Sequence, residues 1–124
     1  MASSNRTLAE LKLRCFHARD EAHSAHLVTT SYAQHMALNA FYDEIVGLID
    51  GLVESYQGVY GLVEDKPNLT LPSQGMVPLL AQLRKWIMEN RKSIGKDTDT
   101  ELQNDIDGIV TLINSTLYKL RFLK

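Results

Sequence analysis

One cysteine, Cys15, is all the chain contains. That excludes an internal disulfide framework and fits a reducing compartment. No basic run exceeds a residue or two and the formal net charge is −2, which argues against a nucleic-acid surface driven by phosphate neutralisation. The N-terminus, MASSNRTLAELK, has no apolar core of the kind a secretory signal needs. No run approaches the roughly 18 apolar residues of a membrane span. The expectation is a cytoplasmic protein with no membrane contact, in which the sequon Asn68-Leu69-Thr70 meets no glycosylating enzyme. Strand-like alternation, internal repeats and low-complexity segments are missing too. So are a Ser/His/Asp or Cys/His arrangement and a phosphate-cradling glycine loop.

What is present is helical patterning. With 124 residues, 44% of them apolar and 23% charged, the chain fits a single domain over residues 1–124 with one core. Ser4 or Thr7 can cap a first helix over about 7–28, whose stripe is Leu8, Leu11, Cys15, Ala18, Ala22 and Ala25. Thr29-Thr30-Ser31 disfavours helix interior and marks a break. A second helix, about 32–56, carries Leu38, Phe41, Tyr42, Ile45, Leu48, Ile49, Leu52 and Val53 on its apolar arc. Beside that arc runs a stripe of small residues, Ala40, Gly47, Gly51, Ser55 and Gly58. Since glycine costs roughly 1 kcal/mol in a helix interior, this stripe suggests close approach of another backbone.

Residues 59–75 hold two prolines and two glycines and form a connector long enough to run the length of a bundle. Leu62, Val63, Leu69 and Leu71 are expected to pack it down. A third helix, about 75–93, tolerates Pro78 in its first turn and turns Leu79, Leu80, Leu83, Trp86 and Ile87 inward. A fourth, about 98–122, is capped by Asp97 or Thr98 and carries Leu102, Ile106, Ile109, Val110, Ile113, Leu117 and Leu120. The expected fold is all-α: a four-helix bundle with a long connection between helices two and three.

Three of the four histidines fall in the stretch 23–54 beside a carboxylate series: His23, His26 and His35, then Asp43, Asp50 and Glu54. At about 100° per residue the three carboxylates share one side of helix two. Imidazole and carboxylate together suit iron, manganese or zinc. The bland counterpart is a polar seam between helices. Cys15 is expected as a small core residue, His17 as exposed, and Asp43, Glu44, Arg84-Lys85 and Arg91-Lys92 as solvated.

The spacing His23-x11-His35-x14-Asp50-x3-Glu54, with Phe41 and the LIDGLVE pattern, resembles the ferroxidase signature of the Dps-like mini-ferritins. The SYAQH element also looks like small uncharacterised ferritin-like proteins encoded by bacteriophages, the closer of the two likenesses. The resemblance implies a ferritin-like bundle. In it His23 or His26, with His35, Asp50 and Glu54, would ligate iron or another divalent metal. The site would form across a two-fold interface in a homo-oligomer, a dimer or larger. Fe(II) oxidation would be the activity. Asn39 stands where the family usually has an acid four residues after the His, and no lysine-rich tail precedes helix one. Those departures favour the alternative implication, a non-enzymatic helical interaction protein, a phage accessory factor with a degraded site and a protein partner.

Overall fold

Helix is the only regular structure among the described residues, the backbone of 2–124 and the side chains of 5–124, in a computed structural model of the chain. Helix α1 spans Ala2–Val28, α2 Tyr32–Tyr60, α3 Met76–Asn90 and α4 Thr100–Phe122, with one 3-10 turn at Arg91–Ser93. The first helix starts before both residues expected to cap it. Thr7 is therefore inside α1, and the side chain of Ser4 lies outside the described residues.

The break at Thr29-Thr30-Ser31 is real and tight. Ser31 is the N-cap of α2, its hydroxyl accepting the Gln34 amide at 3.2 Å. Thr29 Oγ1 accepts from the Ser31 amide at 3.2 Å and donates to Gln34 Oε1 at 3.0 Å. A hydroxyl-rich turn thus supplies partners for the turn and the start of α2, and α1 and α2 fold back as an antiparallel hairpin.

Cross-helix bonds give the other directions. Asn5 on α1 donates to the carbonyl of Leu62, just past α2, at 3.2 Å. Further up α1, His17 Nε2 lies 3.2 Å from the Pro72 carbonyl, and Ser73 donates to Glu21 at 2.6 Å. The segment between α2 and α3 therefore climbs along α1, so that α3 starts beside the hairpin turn and runs parallel to α2. Helix α4 returns antiparallel to α3, with Arg84 donating to Asn114 at 2.9 Å near one end and Arg91 to Asp107 at 2.5 Å near the other. In the climbing segment Val63 is buried, but Leu62 and Leu69 are exposed, correcting the expectation that all four of its aliphatic residues pack down. Val63 is anchored by its amide, which donates to Gln57 Oε1 at 3.0 Å.

One core joins all four helices. Leu8, Leu11, Cys15, Phe41, Ile45, Ile49, Leu80, Ile87, Leu102, Ile106, Ile109 and Ile113 are buried in it. Burial pushes the Cys15 thiol up to about 12, because a thiolate has no solvent there.

The third α-helix stops at Asn90, short of the expected end near 93, because Arg91–Ser93 tightens into the 3-10 turn. Gly95 reverses the chain at φ 76°, a left-handed conformation that favours glycine. Asp99, not Asp97 or Thr98, occupies the N-cap of α4, yet its carboxylate does not cap that helix. It accepts instead from the Lys96 amide at 2.7 Å and from the Tyr60 hydroxyl at the end of α2. Arg91 closes the same corner. Its guanidinium donates to the Gln103 side chain at 2.9 Å and to its carbonyl at 3.0 Å, while Gln103 Nε2 returns a bond to the Arg91 carbonyl at 2.9 Å.

Candidate functional site

Two turns of helix on either side of the α1–α2 break hold the three histidines together. The ring centroids of His26 and His35 are 3.7 Å apart with planes 22° from parallel. His26 Nδ1 donates to the His35 carbonyl at 2.7 Å, and His35 Nδ1 donates to the His26 carbonyl at 3.0 Å. A carbonyl only accepts, so each imidazole carries a proton on Nδ1 and turns Nε2 away from the pairing. The pairing has a local cause. His26 lies in the last turn of α1, where backbone carbonyls lack helical partners, and the His35 side chain supplies one.

Tyr42 extends the cluster. It stacks on His23 at 4.3 Å and meets His26 edge-on at 5.3 Å. Its hydroxyl donates to Asn39 Oδ1 at 2.7 Å, and Asn39 Nδ2 donates to Asp43 at 3.3 Å. His26 is buried, His35 half-buried, His23 exposed. Asn39, in the place where an acid was expected, is thus the middle of a Tyr42–Asn39–Asp43 chain. In the sequence Tyr42 stands out only as part of the apolar arc. The signal for its second role was its spacing: three residues after Asn39 and seven after His35, on one side of the helix.

The structure brings His23, His26 and His35 together; Asp50 and Glu54 lie elsewhere. Both carboxylates are exposed on α2, about 22 and 28 Å beyond His35 at the helical rise of about 1.5 Å per residue. A ligating nitrogen points its lone pair in the ring plane. Two nearly parallel stacked rings therefore cannot aim both Nε2 lone pairs at one ion about 2.0 Å away. Among the described residues, no group of three or more His, Cys, Asp or Glu side chains is placed to hold a metal ion.

Two further expectations change. His17 is half-buried, tied to the Pro72 carbonyl and 3.9 Å from Glu21, so it fastens the climbing segment to α1. Among the described residues the glycines of the α2 stripe have no close neighbour: a methyl added at Gly47, Gly51 or Gly58 would meet nothing within 4 Å.

The stretch of chain that carries His23, His26 and His35 is itself uncharged. From Ala22 to Tyr42 there is no Asp, Glu, Lys or Arg, and Leu27, Val28, Tyr32 and Met36 are all exposed there. A groove of about 310 Å³ opens beside them, lined by Val28, Leu38, Met76, Val77 and Leu120 among others. No described helix is long and apolar enough to cross a membrane.

Residues 26–120 match a family of unknown function, DUF5856. An uncharacterized 14.6 kDa protein in the mobD-ri intergenic region of Enterobacteria phage T4 is 31% identical over 99 residues, covering 79% of this chain and 75% of the phage protein. No solved structure matches.

Proposed function

Since the chain belongs to the family of unknown function DUF5856, we propose that it serves as a non-enzymatic helical interaction protein, a phage-type accessory factor in a ferritin-like bundle. The ferritin-like assignment draws on the direction of the helices, with α3 parallel to α2 after a climbing connection. The observation that carries the reading is the His26–His35 stack, centroids 3.7 Å apart with both Nδ1 atoms bonded to backbone. It gives the histidines a structural task, closing the end of the α1–α2 hairpin. The exposed Leu27, Val28, Tyr32 and Met36 of the uncharged stretch 22–42 support the rest, since exposed apolar and aromatic side chains are the composition of a partner-contacting patch.

A second reading keeps iron or another divalent metal. Each stacked imidazole keeps Nε2 outside the pairing, and Asp50 and Glu54 are exposed without a cation beside them, so carboxylates from a second copy would complete a site with His23, His26 or His35. The protein would then sequester or oxidise Fe(II). Metal analysis of untagged protein and anaerobic Fe(II) titration separate the two. The interaction reading expects negligible bound metal and no change on His35→Ala with Glu54→Ala. Stoichiometric uptake that this double variant abolishes would establish the metal site and overturn the structural role.

A further inference from the structure

The surface formed by α3 up to Met88 and by the C-terminal half of α4 is the chemical opposite of α2. No Asp or Glu occurs from 66 to 88 or from 108 to 124, whereas Arg84, Lys85, Lys119, Arg121 and Lys124 do. Between the two helices opens a groove of about 480 Å³ lined by Ala81, Arg84, Leu117, Tyr118, Arg121 and Phe122. Its aromatic rings stand out of the bundle, Tyr118 55% and Phe122 70% exposed, with centroids 6.0 Å apart. Arg84 spends one N–H on Asn114 at 2.9 Å. Neither Arg84 nor Arg121 is among the cations that pair with a carboxylate. Exposed aromatics between two arginines free of carboxylates are the side chains that dominate protein interfaces.

The complementary surface is on the same chain. Helix α2 contains Asp43, Glu44, Asp50 and Glu54 and no Lys or Arg. Asp50 and Glu54, one turn apart, are exposed, and Gly47 and Gly51 beside them leave space for an incoming ring. Arginine binds carboxylate in a two-pronged geometry that lysine cannot match. A two-fold contact of either face with itself would set like charges together, which is unfavourable. A head-to-tail contact joins opposite ones.

We infer that the α3–α4 groove of one molecule receives the α2 face of a second copy, Arg84 and Arg121 engaging Asp50 and Glu54 while Tyr118 and Phe122 cover the glycines. Such a contact is heterologous. It leaves one free face at each end and closes into a ring or extends, according to the rotation between copies. The inference rests on the interaction reading and names its partner.

Sedimentation velocity on the intact chain tests it, with Arg84→Gln/Arg121→Gln and Asp50→Asn/Glu54→Gln as paired variants and circular dichroism as the check of folding. The wild type is expected to associate, roughly tenfold or more weakly as salt rises from about 0.05 to about 0.5 M. Each variant alone is expected to be monomeric. Their equimolar mixture, holding one intact face of each kind, is expected to form a one-to-one heterodimer that grows no further. A wild type that stays monomeric at low salt overturns the inference, as does a mixture that stays monomeric. A monomeric wild type that binds a single-stranded oligonucleotide, with binding lost in Arg84→Gln/Arg121→Gln, reassigns the groove and overturns it too. Variants that associate like the wild type remove this interface and leave the interaction reading standing, whereas that reading falls on the metal titration alone.

Discussion

The hydroxyl of Tyr60, the last residue of α2, donates to the carboxylate of Asp99, the N-cap of α4. One hydrogen bond thus links the ends of two helices that the chain separates by a whole crossover and a third helix. The same bond, then burial and the nearby negative charge, pushes Tyr60 up to about 12, and it holds Asp99 below the usual carboxylate range with help from the Lys96 amide.

Stability should follow this pair in both directions of pH. Asp99, lowered in the fold, contributes above the ordinary carboxylate range, and that contribution fades as pH falls through its lowered value. Tyr60, raised in the fold, contributes fully below the usual phenol value of about 10 and loses that contribution as pH climbs to about 12. Burial also raises the Tyr56 phenol, so ultraviolet titration of tyrosinate is expected to show more than one late-ionising phenol, of which one vanishes in Tyr60→Phe. An unchanged titration would show that the bond does not persist in solution.

Loss of the histidine stack should cost stability. His26→Ala removes a buried ring with its backbone bond and leaves the His35 carbonyl without that donor, a loss of about 2–3 kcal/mol. His23→Ala, which strips an exposed ring from Tyr42, should cost under about 1 kcal/mol. Urea unfolding monitored by circular dichroism checks both. Equal effects would mean that the stack is no clasp.

Glycines on the two sides of the molecule should respond with opposite sign. Gly47→Ala in an exposed helix interior has open space and is expected to stabilise by about 0.5–1 kcal/mol. At Gly95 the φ is +76° and an added methyl would lie 2.8 Å from Leu102 Cδ1 and 2.9 Å from Asp99 Oδ2. Gly95→Ala should therefore destabilise by more than about 1 kcal/mol. Thermal denaturation decides the signs.

Cys15, fully buried with its thiol pushed up to about 12, should be silent to a thiol reagent in the native protein and react stoichiometrically in denaturant. Prompt native reaction would place it near the surface. Cys15→Ser puts a hydroxyl in an apolar site and should cost about 1–3 kcal/mol.

The four helices were legible because their apolar residues recur every three or four positions, and the first break because hydroxyl side chains cluster at Thr29–Ser31. Boundaries were harder to read. The apolar stripe starts at Leu8, but α1 begins before it, where the pattern has no apolar residue to mark it. The expected cap of α4 moved to Asp99 because Gly95 turns the chain and Asp99 is drawn into that turn. At the site, His23, His26 and His35 are all near one turn, so the hairpin that the hydroxyl break marks also sets them side by side. Spacing could not decide whether Asp50 and Glu54 join them, since residues on one side of a helix can still lie several turns apart. The burial of His17 has no mark in the sequence, because its partner, a carbonyl at Pro72, is backbone and leaves no side-chain signature.

The climbing segment between α2 and α3 fastens itself to α1 mainly through Asn5, His17 and Glu21, and exposes most of its residues from 64 to 70. A protease that nicked it there would release neither half. The α1–α2 and α3–α4 hairpins would stay joined by the shared core, so the molecule is built as two complementing fragments that happen to be covalently tethered.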